Sequence, residues 1–234
     1  MQTTLSSVES FHRERTVFFM LRIIRVMRGT GKARSCRHFR LLWMWVLYFA
    51  LYLLAENLVT DGYRVSYLPA DDVIPFLPVF VIPYCLWYPM LGAMSLYLAH
   101  RDADTFRKYM LSVALGFFPV LIFCMLFPNG QELRPDVFPQ ENLLTRWVAL
   151  IYAADTNTNV LPSMHVIGCC LLTAAAFACE KLHRQKLHLV ILPLCILTAA
   201  STLFIKQHSV LDVLTALPYS ALVLLLVYRR PHKK

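Results

Sequence analysis

The sequence predicts an all-α, polytopic membrane protein: a six-transmembrane-helix bundle preceded by an N-terminal amphipathic interfacial helix. Three observations carry this prediction. Hydrophobic residues make up 58% of the 234-residue chain and the mean hydropathy is +0.53, which excludes an ordinary soluble domain. Six stretches, 41–60, 73–99, 109–127, 164–180, 187–205 and 209–228, read as membrane spans, each of which needs about 20 mostly apolar residues. Nineteen of the 23 lysines and arginines fall on one side of those spans and four on the other, the kind of bias that sets orientation.

Each element follows from its residues. Residues 1–40 hold nine basic side chains. Within them "VFFMLRIIRVMR" at 17–28 spaces Arg22, Arg25 and Arg28 three apart. That spacing gathers them on one helical face, the pattern of a helix lying on anionic lipid. A solvated basic tail is the competing reading. The second span carries Pro75, Pro78, Pro83 and Pro89, so kinks or a broken entry are expected. The fifth and sixth spans abut around Lys206-Gln207-His208, which requires a tight turn. The organisation is therefore a basic cytoplasmic or interfacial segment at 1–40, a membrane domain at 41–229 and a basic tail at 230–234. No internal repeat or low-complexity tract interrupts it.

The basic-rich side includes the N-terminal segment, Arg101, Arg107 and Lys108, then Lys181, Arg184 and Lys186, and finally Arg229, Arg230, Lys233 and Lys234. Only Arg64, Arg134, Arg146 and Lys206 lie opposite. With six spans, both termini are cytoplasmic. The net charge of +9 thus reads as topology and not as nucleic-acid binding. The seven cysteines, at 36, 85, 124, 169, 170, 179 and 195, avoid the outer loops and form no CxxC pair, so they read as small packing residues.

The outer side carries the chemistry. Of eight histidines only His165 and His208 fall there, each at the start of a span. Pro162 and Ser163 precede His165 and suit a helix entry and its N-cap. Unpaired N–H groups at such an entry welcome an anion. Ser163 can donate to that anion, and His165, one turn in, can protonate a departing oxygen. The plain alternative is a capped helix start. His208 and Asp212 are spaced i, i+4 and share a face. Asp212 can then fix the tautomer and leave the other ring nitrogen free as base or nucleophile; a structural pair closing the turn is the alternative. Arg134 suits bidentate phosphate binding, or sits as an ordinary interfacial arginine. Asp155 and Asn159 can shape the Pro162 turn. Glu56, near the outer end of the first span, either orients a substrate or snorkels.

Three blocks, "RP" at 134–135, "PSMH" at 162–165 and Ser201 with "HSVLD" at 208–212, resemble the signature blocks of the type 2 phosphatidic acid phosphatase superfamily. The resemblance covers 110–229 by motif and most of the chain by topology. It implies that His208 attacks phosphorus, Asp212 orients it, and His165 protonates the leaving alkoxide and then activates water. Arg134, Ser163 and Ser201 would hold phosphate oxygens. No metal or other cofactor is implied; the implied partners are a lipid phosphate or phospholipid and the surrounding membrane lipids. Two positions depart from the family pattern: Phe127 stands where a lysine is expected and Thr202 where an arginine is expected. Lys206 is the remaining basic residue in that turn and a candidate replacement. The departures resemble divergent branches, including sphingolipid-synthase-type members. The expected function is a lipid phosphate phosphatase at the outer leaflet. A phosphotransferase using a lipid hydroxyl in place of water is the first alternative, and a non-catalytic transporter or scaffold the second.

Overall fold

A computed structural model describes residues 36–59 and 61–229. The chain divides into two compact units, Met1–Arg37 and His38–Lys234. The expected amphipathic helix at 17–28 lies outside the described residues. The second unit is built from helices α1 (Trp43–Leu58), α2 (Ala70–Val73), α3 (Val81–Cys85), α4 (Trp87–Arg101), α5 (Ala103–Leu126), α6 (Leu143–Ala154), α7 (Met164–Ala178), α8 (Glu180–Arg184), α9 (His188–Phe204) and α10 (Val210–Tyr228). Two-residue strands β1 (Arg64–Val65) and β2 (Asn129–Gly130) pair in parallel between the loops.

The chain is an all-α membrane protein. Among the described residues, four segments are long and apolar enough to cross a bilayer: Arg37–Leu58, Pro78–Arg101, Ala103–Leu126 and Val210–Tyr228. Helices α7 and α9 are equally apolar but shorter, at 15 and 17 residues. Helix α7 stops before Glu180, which opens α8, and α9 stops at Phe204, just ahead of the left-handed Lys206. The proline-rich second segment enters as a 3-10 turn at Pro78–Phe80, continues as α3 and then passes into α4. Pro119, Pro193 and Pro218 lie inside α5, α9 and α10, as membrane helices tolerate.

Packing places α7 at the centre. It contacts α9, α5, α10 and α4, while α1 leans on α5. Nearly every α7 side chain up to Ala176 is buried, including Ile167, Leu171, Leu172 and Ala175, as expected of a helix that is apolar all round. Gly168 lets the Trp87 ring approach: a Cβ there would lie 2.6 Å from its Nε1. The perimeter is the reverse of a soluble surface. Trp43, Leu53, Leu58, Ile196, Leu222 and Leu225 are exposed large apolar side chains, and lipid is the solvent that suits them.

Helix α6 was absent from the expected elements. It lies in the loop before the Pro162 turn, with Asn142 and Thr145 forming a reciprocal capping box. It packs on α3 and the adjoining 3-10 turn, where Val81, Tyr84, Val148 and Ile205 form a small core.

Candidate active site

The site begins at the entry of α10. Ser209 caps the helix by accepting from the Asp212 N–H, and the Asp212 carboxylate accepts from the Ser209 N–H at 2.8 Å. This reciprocal cap fixes the first turn. It also sets the Asp212 Oδ2 atom 3.2 Å from Nδ1 of His208. The other carboxylate oxygen accepts from Ser66 Oγ, whose hydroxyl also lies 2.8 Å from Ser209 Oγ. Asp212 is fully buried and engaged on both oxygens. With Nδ1–H donating to Asp212, Nε2 of His208 carries the free lone pair.

The α7 entry is tied to the same turn. Ser163 N–H donates to the Asp212 carbonyl at 3.1 Å, and Ser163 Oγ accepts from Val166 N–H. His165 follows, one residue into α7. Its ring stacks on Tyr84 at 4.5 Å, lies 4.3 Å from the Trp87 ring, and meets His208 edge-on at 5.6 Å between centroids. Trp87 Nε1 donates to the His165 carbonyl. Nε2 of His165 is buried and has no hydrogen-bond partner. The two histidines therefore line one pocket.

A second layer surrounds them. Asp155 accepts from Tyr52 at 2.6 Å on one oxygen, and from Tyr84 and Gln207 Nε2 on the other. Arg134 donates to the carbonyls of Tyr152, Asp155 and Thr156 and to Gln207 Oε1. Its guanidinium thus reaches the Asp155 carboxylate through Gln207, lies 4.3 Å over the Tyr152 ring, and keeps only Nε without a partner. Burial lowers its pKa from the usual value while Asp155 opposes that shift. Glu56 is buried and accepts from Thr156 N–H and Oγ1 and from Asn159 Nδ2. It therefore holds the turn before Pro162. Asn159, at a positive φ of 58°, belongs to that turn.

Two further candidates turn elsewhere. Lys206 Nζ donates to the Asp71 carbonyl at 2.8 Å. Burial pulls its ammonium below the usual value, with Asp71 and Asp72 opposing. Ser201 Oγ donates back to the Thr198 carbonyl within α9. The structure thus gathers His165, His208, Asp212 and Ser163, with Asp155 and Asn159 beside them. It holds Arg134 behind Gln207 and sets Lys206 and Ser201 in other contacts. Ser66, Gln207, Tyr52 and Tyr84 were not foreseen. They sit in a loop, a turn and apolar helices with no local signature. Among the described residues no group of three or more His, Cys, Asp or Glu side chains is placed to hold a metal ion.

Residues 105–234 match the family model of the PAP2 superfamily. The chain belongs to the PAP2 superfamily. No curated protein and no solved structure matches it. PAP2 members are phosphatases and phosphotransferases, which supports an enzyme acting on a lipid phosphate in the membrane. The two departures from the PAP2 pattern have clear structural places. Phe127 ends α5 and is exposed. Thr202 is buried, its hydroxyl donates to the Ala199 carbonyl, and its own carbonyl accepts from the N–H groups of Gln207 and His208. The Thr202 backbone therefore still fixes His208, while its side chain brings no charge.

Proposed function

We propose that this PAP2 protein is an integral membrane lipid phosphatase that hydrolyses a phosphomonoester, of phosphatidic acid or polyprenyl phosphate type, through a phosphohistidine. Six spans put both termini in the cytoplasm and the site on the extracytoplasmic face, α7 and α9 serving as the two short spans. The observation that carries the reading is the His208–Asp212 contact at 3.2 Å in a pocket shared with an unpartnered His165 Nε2.

The chemistry follows from those atoms. Nε2 of His208 attacks phosphorus and the bond to the leaving alkoxide breaks. Protonated His165 gives its Nε2 proton to that alkoxide. Asp212, still accepting from Nδ1–H, stabilises the positive charge on the phosphorylated ring. Neutral His165 next takes a proton from water, the hydroxide attacks phosphorus, and the P–N bond returns its electron pair to His208. Inorganic phosphate leaves and both rings regain their first state. No metal ion enters this scheme.

A second reading, transfer of a phospho-headgroup to a lipid hydroxyl, gains from one observation: Glu56 and Asp155 line the pocket and, among the described residues, no lysine or arginine does. Two carboxylates oppose a dianionic monoester more than a singly charged diester. Both readings use the same histidine. Purified protein mixed with phosphorus-labelled lipid and quenched in base should retain label that acid removes. His208→Ala should lose that label and at least three orders of magnitude in turnover, on the scale expected for loss of a nucleophile. A variant that keeps a tenth of the activity would overturn the covalent role.

A further inference from the structure

The pocket holds features that attack on phosphorus does not use. Glu56 and Asp155 line it together with the rings of Tyr48, Tyr52, Trp87 and Tyr88. Neither carboxylate has a cationic side chain within 4.0 Å among the described residues. Arg134 donates to the Asp155 carbonyl and approaches the Asp155 carboxylate through Gln207, so it offsets at most one of the two charges. Buried carboxylates ordinarily face a cation. Aromatic faces and carboxylates together favour one.

An independent feature points the same way. Asn159 is 5% exposed and lines the pocket. Its Nδ2 donates to Glu56 Oε1, while its Oδ1 is buried and accepts from nothing. A buried acceptor of this kind is costly until a donor arrives. The free space is small, about 30 Å³, room for only a few water-sized groups. The missing partner is therefore positive, compact and a hydrogen-bond donor.

We infer that the pocket receives a primary ammonium group carried on the headgroup of the lipid, which makes the substrate an aminoalkyl phosphodiester in the transfer reading. The inference rests on His208 being the nucleophile of this site and names the substrate of the transfer reading. The ammonium sits against Glu56 and Asp155, donates to Asn159 Oδ1, and lies over the aromatic rings. A trimethylated nitrogen has no proton for Asn159 and is bulkier. A phosphomonoester has no cation to offer. The short spacer of an aminoethyl headgroup keeps its phosphorus beside His208, which lines the same pocket.

The test compares four detergent-solubilised lipids with the same acyl chains: aminoethyl, hydroxyethyl and trimethylaminoethyl phosphodiesters, and the phosphomonoester. The aminoethyl lipid should exceed each of the others in kcat/KM by about tenfold or more, the scale of a charge-assisted contact. The aminoethyl to hydroxyethyl ratio should fall towards one in Glu56→Gln. Because Glu56 also holds the 156–159 turn, Tyr88→Leu is the second variant; Tyr88 is 41% exposed and its loss should shrink the ratio without unfolding the turn. Binding of the same lipids to His208→Ala protein, which cannot turn over, separates recognition from chemistry. Preferential binding of the aminoethyl lipid there supports the inference. Equal binding of aminoethyl and hydroxyethyl lipids, or preference for the trimethylated lipid or the phosphomonoester, overturns it. In that event loss of the base-stable label in His208→Ala would still uphold the histidine nucleophile.

Discussion

A titratable ring at the first turn of a buried helix is costly unless its surroundings use it. The His165 ring is held by packing and not by hydrogen bonds: Tyr84 and Trp87 grip it and His208 abuts its edge. This leaves Nε2 without a partner, as a proton donor aimed at a substrate oxygen requires. His165→Ala should therefore slow an alkyl phosphate ester by two orders of magnitude or more, the usual scale of general acid–base catalysis. An aryl ester of the same phosphate, whose leaving oxygen is far less basic, should lose much less. Steady-state kinetics on the two esters checks this, and equal losses would remove the acid role. Lys206 shows the opposite case. From the sequence it was a candidate for the missing cations, yet its ammonium is held by the Asp71 carbonyl. Charge type and position along the chain were readable, but the left-handed backbone at φ 55°, which directs that side chain, was not.

Between elements, the decisive contact is α4 against α7. Gly168 on α7 faces Trp87 on α4, and the same indole both packs on the His165 ring and donates to its carbonyl. Gly168→Ala places a methyl within 2.6 Å of Trp87 Nε1, so the indole must move. Overpacking of this kind costs about 1–3 kcal/mol. The expected outcome is a lower Tm together with a fall in kcat. A variant with lower Tm but unchanged kcat would show that His165 does not depend on Trp87 for its placement. Element boundaries were legible where hydropathy changed sharply, as at α10 and the C-terminal end of α5; the N-terminal end of α5 begins at Ala103, ahead of the expected 109. Helix α6 escaped because Thr145 and Arg146 break a short apolar run that ends at Asp155. Its capping pair, Asn142 and Thr145, lacks the usual acidic N3 residue. The loop bearing Ser66 and the single turn of α2 bearing Asp71 have no periodicity at all, yet Ser66 holds Asp212 and Asp71 accepts from Val210 N–H.

Across the whole molecule, the histidine-bearing ends of α7 and α10 gather the buried polar network, and the opposite end carries the basic loops. That division was readable because the cost of charge in lipid acts on composition alone. The pairing of loops above the site was not readable, since it depends on contacts such as Arg64–Val65 with Asn129–Gly130 that link distant segments. The same asymmetry gives a prediction that needs no substrate. Val137, 82% exposed, lies in the loop between α5 and α6 beside the histidine end. Arg184, whose side chain is 77% exposed, lies in α8 at the far end of α7. A cysteine introduced at residue 137 should react with a membrane-impermeant maleimide in intact cells, over the background of the parent chain. A cysteine at residue 184 should react only after permeabilisation. The bias of nineteen basic residues against four, read from the sequence, is the ground for this expectation. Labelling at residue 184 alone would reverse it: the site would face the cytoplasm, and its lipid would have to come from the inner leaflet.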